Sequence, residues 1–254
     1  MSITMEQIKQ LRDKTGISIT ACKKALEEAN GDMQAAVDLL RKKGEAKALD
    51  RADRSTNEGV VAVSSNGSST LIIALACETD FVAKNPDYIQ AAQVLADSIL
   101  ADSNFDSSSY VSDLSLKMGE KVDLKSQKLV SASVVGAYVH SNNKIGALVT
   151  LEGGSEEVAK NIAMHSVATR PEFLNPEDVS SEIISKESEF WNDELQKSGK
   201  PENIWENILK GKESKFRSQI SLTAQDFVMS PDKTVAAYAK ENGATVKSFD
   251  ILSV

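Results

Sequence analysis

The apolar positions of the chain change period along its length, and each change marks a new kind of element. From Met5 to Lys43 they recur at helical intervals, Ile8 with Leu11, then Leu26, then Val37 with Leu40, interrupted around Ser18 and at Gly31-Asp32. This spacing predicts three short helices, "MEQIKQLRDKT", "ACKKALEEAN" and "MQAAVDLLRKK", with Ser18 and Thr20 as candidate caps of the second. Helices of two to three turns are not stable alone, so they are expected to pack on one another around Leu11, Leu26, Val37 and Leu40. The charged stretch from Gly44 to Asn57 then reads as a helical or extended connector.

Beyond the connector the pattern turns strand-like and repeats weakly. The first copy is "GVVAVS" (Gly59 to Ser64), a turn at Ser65-Asn66-Gly67, the apolar run "LIIALAC" (Leu71 to Cys77), and a helix "DYIQAAQVLADSIL". The second is "VGAYVH" (Val135 to His140), a turn at Ser141 to Lys144, "IGALVTLEG", and a helix "SEEVAKNIAMHSVAT". Asn-Gly and Asn-Asn supply the positive φ of tight hairpin turns, so two sheet-and-helix subdomains are expected. Between them, Phe105 to Leu116 is rich in Ser and Asp and reads as a loop with a short helix.

From about 180 to 222 the helical period returns on both sides of a break at Ser198-Gly199-Lys200-Pro201, which fits an antiparallel helical hairpin. The stretch "DFVMSPDKTVAAYAKENGATVKSFDIL" then brings the chain back to a sheet. The fold class is therefore α+β: a three-helix domain over residues 1–54, a first core subdomain over 55–134, and a second over 135–254 that carries the hairpin insert.

Composition narrows the function. The 254 residues are 41% hydrophobic and 26% charged, in the range of globular proteins, with no stretch of membrane-span length. The start "MSITMEQIKQ" has neither an apolar signal core nor an Arg-rich transit pattern, so the cytoplasm is expected. Two cysteines, Cys22 and Cys77, and two histidines leave no disulfide framework and no Cys- or His-rich metal motif, so neither cofactor nor metal is expected.

The net charge is −8, yet residues 1–54 hold 11 Lys and Arg against 9 Asp and Glu. An acidic body argues against nucleic acid as the direct partner and favours a protein. The chain contains no GxxxxGK[ST] phosphate loop. A hydrolase built on Cys77, Asp80 and His140 would need an oxyanion hole, and no Gly-rich nucleophile turn surrounds Cys77.

The segment "CETDFVAKN" (Cys77 to Asn85) sits where a buried strand ends and Asn85-Pro86 starts a helix. A large aromatic, Phe81, beside a carboxylate, Asp80, in such a turn has two readings. It folds back to plug the end of its own sheet, or it is offered to another molecule.

Four segments in order, "LRDKTGISITACKKALEEANGDMQAAVDLLRKKG", "CETDFVAKN", "NIAMHSVATRPEFL" and "DFVMSPDKTV", resemble the bacterial translation elongation factor Ts family across essentially the whole chain. The resemblance implies an N-terminal ubiquitin-associated-type domain, a two-subdomain core and a coiled-coil hairpin that supports a homodimer or 2:2 complex. It also implies an activity, guanine-nucleotide exchange on the GTPase elongation factor Tu, with no covalent chemistry. Thr79, Asp80, Phe81, Val82, Ala83 and Lys84 then form the loop that dislodges Mg²⁺ from the partner, with Phe81 as a wedge and Asp80 fixing its entry.

With the same family match, Arg12, Ile19, Thr20 and Lys23 on the N-terminal domain, Arg51 in the connector, Met118 and Gly119 in "KMGEKV", and His140 at a hairpin end are further partner contacts. Met118 stands where relatives commonly carry an aliphatic residue, a tolerable swap in a packing contact. His165 is expected to be structural. The chain stops at Val254, so the additional C-terminal helical module of longer relatives is expected to be missing. Another class of function remains open on the residues alone: a scaffold whose three-helix domain recognises ubiquitin-like or nascent-chain partners.

Overall fold

The computed structural model describes residues 3–15, 17–51 and 53–254, the side chains of 45–50 excepted. Two compact units emerge. The first holds the residues up to Asn66 together with Leu71–Lys128 and Leu252–Val254; the second holds Gly67–Thr70 and Leu129–Ile251.

The first unit begins with three helices, α1 (Met5–Thr15), α2 (Ile19–Glu28) and α3 (Met33–Asp50). They share a core of Ile8, Leu11, Cys22, Ala25, Leu26, Ala36 and Leu40, with Val37 partly buried against it. Ser18 alone caps α2, its Oγ accepting the Ala21 amide, while Thr20 lies exposed within the helix and caps nothing. The connector expected from Gly44 is helical as far as Asp50, because α3 runs on without a break; Ala52 of that stretch lies outside the described residues.

Packing accounts for the persistence of α3 through a glycine. A Cβ on Gly44 would lie 2.7 Å from the Leu116 side chain, so the bare backbone is what lets α3 approach the helix that carries Leu116. Glycine costs a helix roughly 1 kcal/mol relative to alanine, but a Cβ here would have to displace Leu116.

The sheet of this unit has the order β1 (Glu58–Ser65), β2 (Thr70–Cys77), β3 (Val122–Val130). β2 is buried along its full length, as its unbroken apolar run requires of a central strand. α5 (Pro86–Ala101) covers the sheet, started by Asn85, whose Oδ1 accepts the Asp87 amide, and by Pro86 in the first turn.

Two features depart from the expected pattern. The Ser/Asp-rich stretch, expected as a loop with a short helix, is helical over most of its length: it forms α6 (Ser107–Met118), capped by Asp106 and ended by Gly119 in the left-handed region at φ 79°. Its polar residues had masked an apolar face of Tyr110, Val111, Leu114 and Met118, which packs on the sheet core. β3 carried no readable signal because only Val122 of "VDLKSQKLV" is buried, and the rest of this edge strand faces solvent or lies half-covered.

In the second unit β4 (Val134–Val139) pairs antiparallel with β5 (Ile145–Gly153), Ala137 opposite Leu148, and β8 (Ala244–Ser253) lies on the other side of β5. α7 (Glu156–Thr169) packs across β4 and β5. The helical hairpin is α8 (Ser181–Lys197) with α9 (Trp205–Ile220). Both tryptophans serve the hairpin: Trp191 meets Phe216 edge-on at 5.8 Å, and the Trp205 Nε1–H donates to Lys200 O. A small ribbon, β6 (Asp226–Phe227) and β7 (Ser230–Thr234), and α10 (Val235–Glu241) precede β8.

Candidate partner-binding site

At the end of β2 the chain makes a single helical turn, α4 (Asp80–Ala83). One turn has no stability of its own, so its shape is imposed by its ends. At the N-terminal end Thr79 is in extended conformation and its Oγ1 accepts the Val82 amide at 3.4 Å. At the C-terminal end Ala83 is buried in the sheet core and Val82 packs partly against it. Phe81 lies between these anchors and is 84% exposed, so it does not plug its own sheet. Beside it, Asp80 and Lys84 form an ion pair of 2.6 Å on the surface.

The turn is held from below by two carboxylates that its flanking motifs contain. Glu120 accepts both the Thr79 amide, at 3.0 Å, and the Thr79 hydroxyl, at 2.6 Å. Glu78 accepts the Lys121 amide at 2.6 Å and the Arg54 guanidinium at 3.1 Å. The Lys121 amide, then the Arg54 side chain, hold the Glu78 carboxyl below its usual range, although desolvation opposes them. Lys121 Nζ in turn donates to Arg54 O, so the connector is tied to the same place.

None of Arg54, Glu78, Glu120 and Lys121 was singled out in the sequence. The only signal was adjacency: Glu78 directly precedes Thr79, and Glu120 directly follows Gly119.

The remaining candidates fall in several places. Met118 and Gly119 end α6, Met118 partly buried in the core and Gly119 one residue before the glutamate that grips Thr79. They therefore adjoin the Phe81 turn. Arg12 and Ile19 line a groove of about 270 Å³ between α1 and α2, together with Met5, whose side chain is 73% exposed. Thr20 and Lys23 are exposed on the same three-helix body, Lys23 facing Glu27 at 3.8 Å. Arg51 borders an open cavity with Lys121 and the serines at the start of α6. His140 belongs to the second unit, just past β4, where the Tyr138 hydroxyl meets its Nδ1 at 3.1 Å.

Cys77 is fully buried. Its thiol donates to Thr79 O, and desolvation by burial pushes its pKa up to about 11. A neutral, covered thiol opposes the hydrolase reading. His165 is fully buried and doubly bonded, Nε2 to Gln225 Oε1 at 2.9 Å and Nδ1 to the Val228 amide at 3.2 Å, a structural role. Among the described residues no group of three or more His, Cys, Asp and Glu is placed to hold a metal ion, and no helix is long and apolar enough to cross a membrane.

A three-helix body, two sheet-and-helix units with a helical hairpin, and a solvent-facing phenylalanine on an anchored turn define an α+β protein built for contact with another macromolecule. A family model described as "Elongation factor TS" matches residues 78–254, and one described as a "UBA-like domain" matches residues 5–47. The elongation factor Ts of Photorhabdus laumondii is 40% identical over 256 residues, covering 97% of this chain and 90% of that protein. That of Pasteurella multocida is 40% identical over 254 residues with the same coverage. That of Idiomarina loihiensis is 38% identical over 263 residues, 98% of this chain and 90% of that protein. The chain belongs to the elongation factor Ts family. By that membership it is a translation elongation factor with a nucleotide-exchange role, and its partner is elongation factor Tu.

Proposed function

We propose that this protein binds elongation factor Tu and promotes GDP release by inserting Phe81 near the partner's Mg²⁺ and phosphate site. An exchange factor must bind the nucleotide-free GTPase better than the nucleotide-bound one, and reciprocity then weakens nucleotide by the same factor. A GTPase holds its nucleotide largely through phosphate contacts and a coordinated Mg²⁺, so displacing the surrounding loops raises the off-rate. An anchored phenylalanine suits this role, because it brings a large contact area at the loss of few rotors.

The observation that carries the reading is the 84% exposure of Phe81 on a turn whose two ends are fixed. Asp80, freed from Lys84, would then bond the partner and set the angle of entry. The groove of Arg12 and Ile19, with Thr20 and Lys23, provides a second contact suited to an acidic helix, and Arg51, Met118, Gly119 and His140 provide further ones.

The domain division at 1–54, 55–134 and 135–254 belongs to the same reading. So do association of two copies through the helical hairpin, a cytoplasmic location and the absence of direct nucleic-acid binding. The net charge of −8 supports the last, since nucleic-acid affinity rests largely on phosphate neutralisation.

The test is stopped-flow release of a fluorescent GDP analogue from elongation factor Tu, with Mg²⁺ varied, for the parent and for Phe81→Ala. Strong acceleration by the parent, reduced in a variant that still forms the complex, is the expected result. Acceleration unaffected by the substitution would remove Phe81 from the mechanism, and no acceleration by the parent would refute the exchange reading.

A further inference from the structure

Two chain segments meet beneath the Phe81 turn in a reciprocal exchange of bonds. The Glu120 carboxylate takes the amide of Thr79, the residue after Glu78; the Glu78 carboxylate takes the amide of Lys121, the residue after Glu120. Each carboxylate thus grips the backbone just past the other. Carboxylate-to-amide bonds are charge-assisted and about twice as strong as neutral ones, and a partly covered site screens them less than a surface does.

Glu120 does more than close the clasp. Its second oxygen accepts the Thr79 hydroxyl proton at 2.6 Å. A threonine hydroxyl has one proton to donate, so committing it to Glu120 aims the oxygen lone pairs at the Val82 amide, which is the bond that caps α4. Glu120 is itself pinned: the Ser115 hydroxyl donates to its carbonyl at 2.5 Å, and Gly119 supplies the left-handed turn that ends α6 just before it. Rigid support therefore runs from α6 through Glu120 and Thr79 to the one turn that presents Phe81.

We propose that Glu120 is a positioning residue for nucleotide exchange, acting through Thr79 to fix the direction in which Phe81 leaves the surface. The inference rests on the reading of Phe81 as the inserted group. Glu120 itself does not touch the partner's nucleotide site; its contribution is to spare Phe81 an ordering cost at the moment of insertion.

The experiment is a double-mutant cycle on stimulated GDP release from elongation factor Tu, with Glu120→Ala, Phe81→Ala and the combination. Each is titrated to separate the maximal release rate from the half-saturating concentration, and thermal unfolding is followed in parallel. Glu120→Ala is expected to lower the maximal rate about tenfold, below the roughly hundredfold that a misplacement of about 1 Å can cost, because Val82 and Ala83 still anchor the other end of the turn. The half-saturating concentration should move little, and the unfolding temperature should fall only as far as the two lost bonds to Thr79 require, a shift of several degrees. In the Phe81→Ala background the same substitution should have almost no further effect, the non-additivity of residues that act in series.

Glu120→Gln keeps the side-chain shape and one acceptor oxygen, so its maximal rate should fall between those of the parent and Glu120→Ala. If Glu120→Ala does not fold, Glu120→Gln decides: a lowered maximal rate at unchanged unfolding temperature supports the proposal, and an unchanged rate overturns it. Additive losses, or a loss confined to half-saturation and stability, would reduce Glu120 to a purely structural bond and overturn the proposal while the Phe81 reading stands. A Phe81→Ala variant as fast as the parent would overturn both.

Discussion

The Nδ1 atom of His165 accepts the backbone amide of Val228 at 3.2 Å, which ties α7 to the tip of the β6–β7 ribbon. The ring proton therefore sits on Nε2 and is donated to Gln225 Oε1. Phe227 lies 5.7 Å from the imidazole and stacks on Tyr238 at 4.2 Å, so the ring is enclosed by aromatic surface.

Burial holds the His165 pKa below its usual value, and the Gln225 bond only partly opposes this. Protonation would turn Nδ1 into a donor facing another donor. Because the folded-state pKa is depressed, the stabilisation is complete above the ordinary value of about 6.5 and is lost as pH falls towards the folded-state value. The unfolding temperature should therefore decline as pH is lowered from about 7 to 5, before the carboxylates protonate. His165→Gln should be less stable at pH 8 and show a flatter profile; calorimetry across this range checks both.

Gly136 on β4 touches the backbone of α7 directly. A Cβ there would stand 2.1 Å from Ala159 C and Lys160 N, and neither backbone can yield cheaply. Gly136→Ala should cost about 3 kcal/mol or more, the upper end of overpacking penalties, seen as a lowered urea midpoint. Gly211→Ala, where nothing lies within 4 Å, should be neutral or slightly stabilising in its helix.

Cys22 and Cys77 are both fully buried free thiols. A thiol-specific chromogenic reagent should label neither in the native protein and both after denaturation. Rapid native labelling of Cys77 would contradict a thiol pushed up to about 11 by burial.

Phe190 projects from α8 with 70% of its surface exposed, while Ile184 and Leu195 of the same helix are buried. Association through the hairpin would cover it. Phe190→Asp should then shift the sedimentation behaviour of the complex with elongation factor Tu from a 2:2 towards a 1:1 species while leaving the helical content unchanged. A 1:1 parent complex would remove the hairpin from assembly.

The elements that could be read in advance were those whose local pattern and burial agree. Leu71 to Cys77 is apolar throughout and is buried throughout; Asn85-Pro86 announces a helix and begins one. The full extent of α6, where only a short helix was expected, escaped because its serines obscured an apolar face that packing reveals, and β3 escaped because an exposed edge strand needs no apolar alternation. Within the site, Thr79 and Phe81 stood out as a motif, whereas Glu120 looked like one more surface glutamate until Thr79 was seen to donate to it twice.

The sequence by itself determined the helix and strand periods, the two-copy pattern of sheet and helix, and the family to which the chain belongs. Those properties depend on residues close together along the chain or on motifs in order. Only the tertiary structure decided that Phe81 faces solvent, that Gly44 serves Leu116, and that Glu78 and Glu120 hold each other's neighbours. Glu78 and Lys121 are 43 positions apart, and Thr79 and Glu120 are 41. Contacts of that separation are set by how the sheet and α6 pack, and no local spacing encodes them.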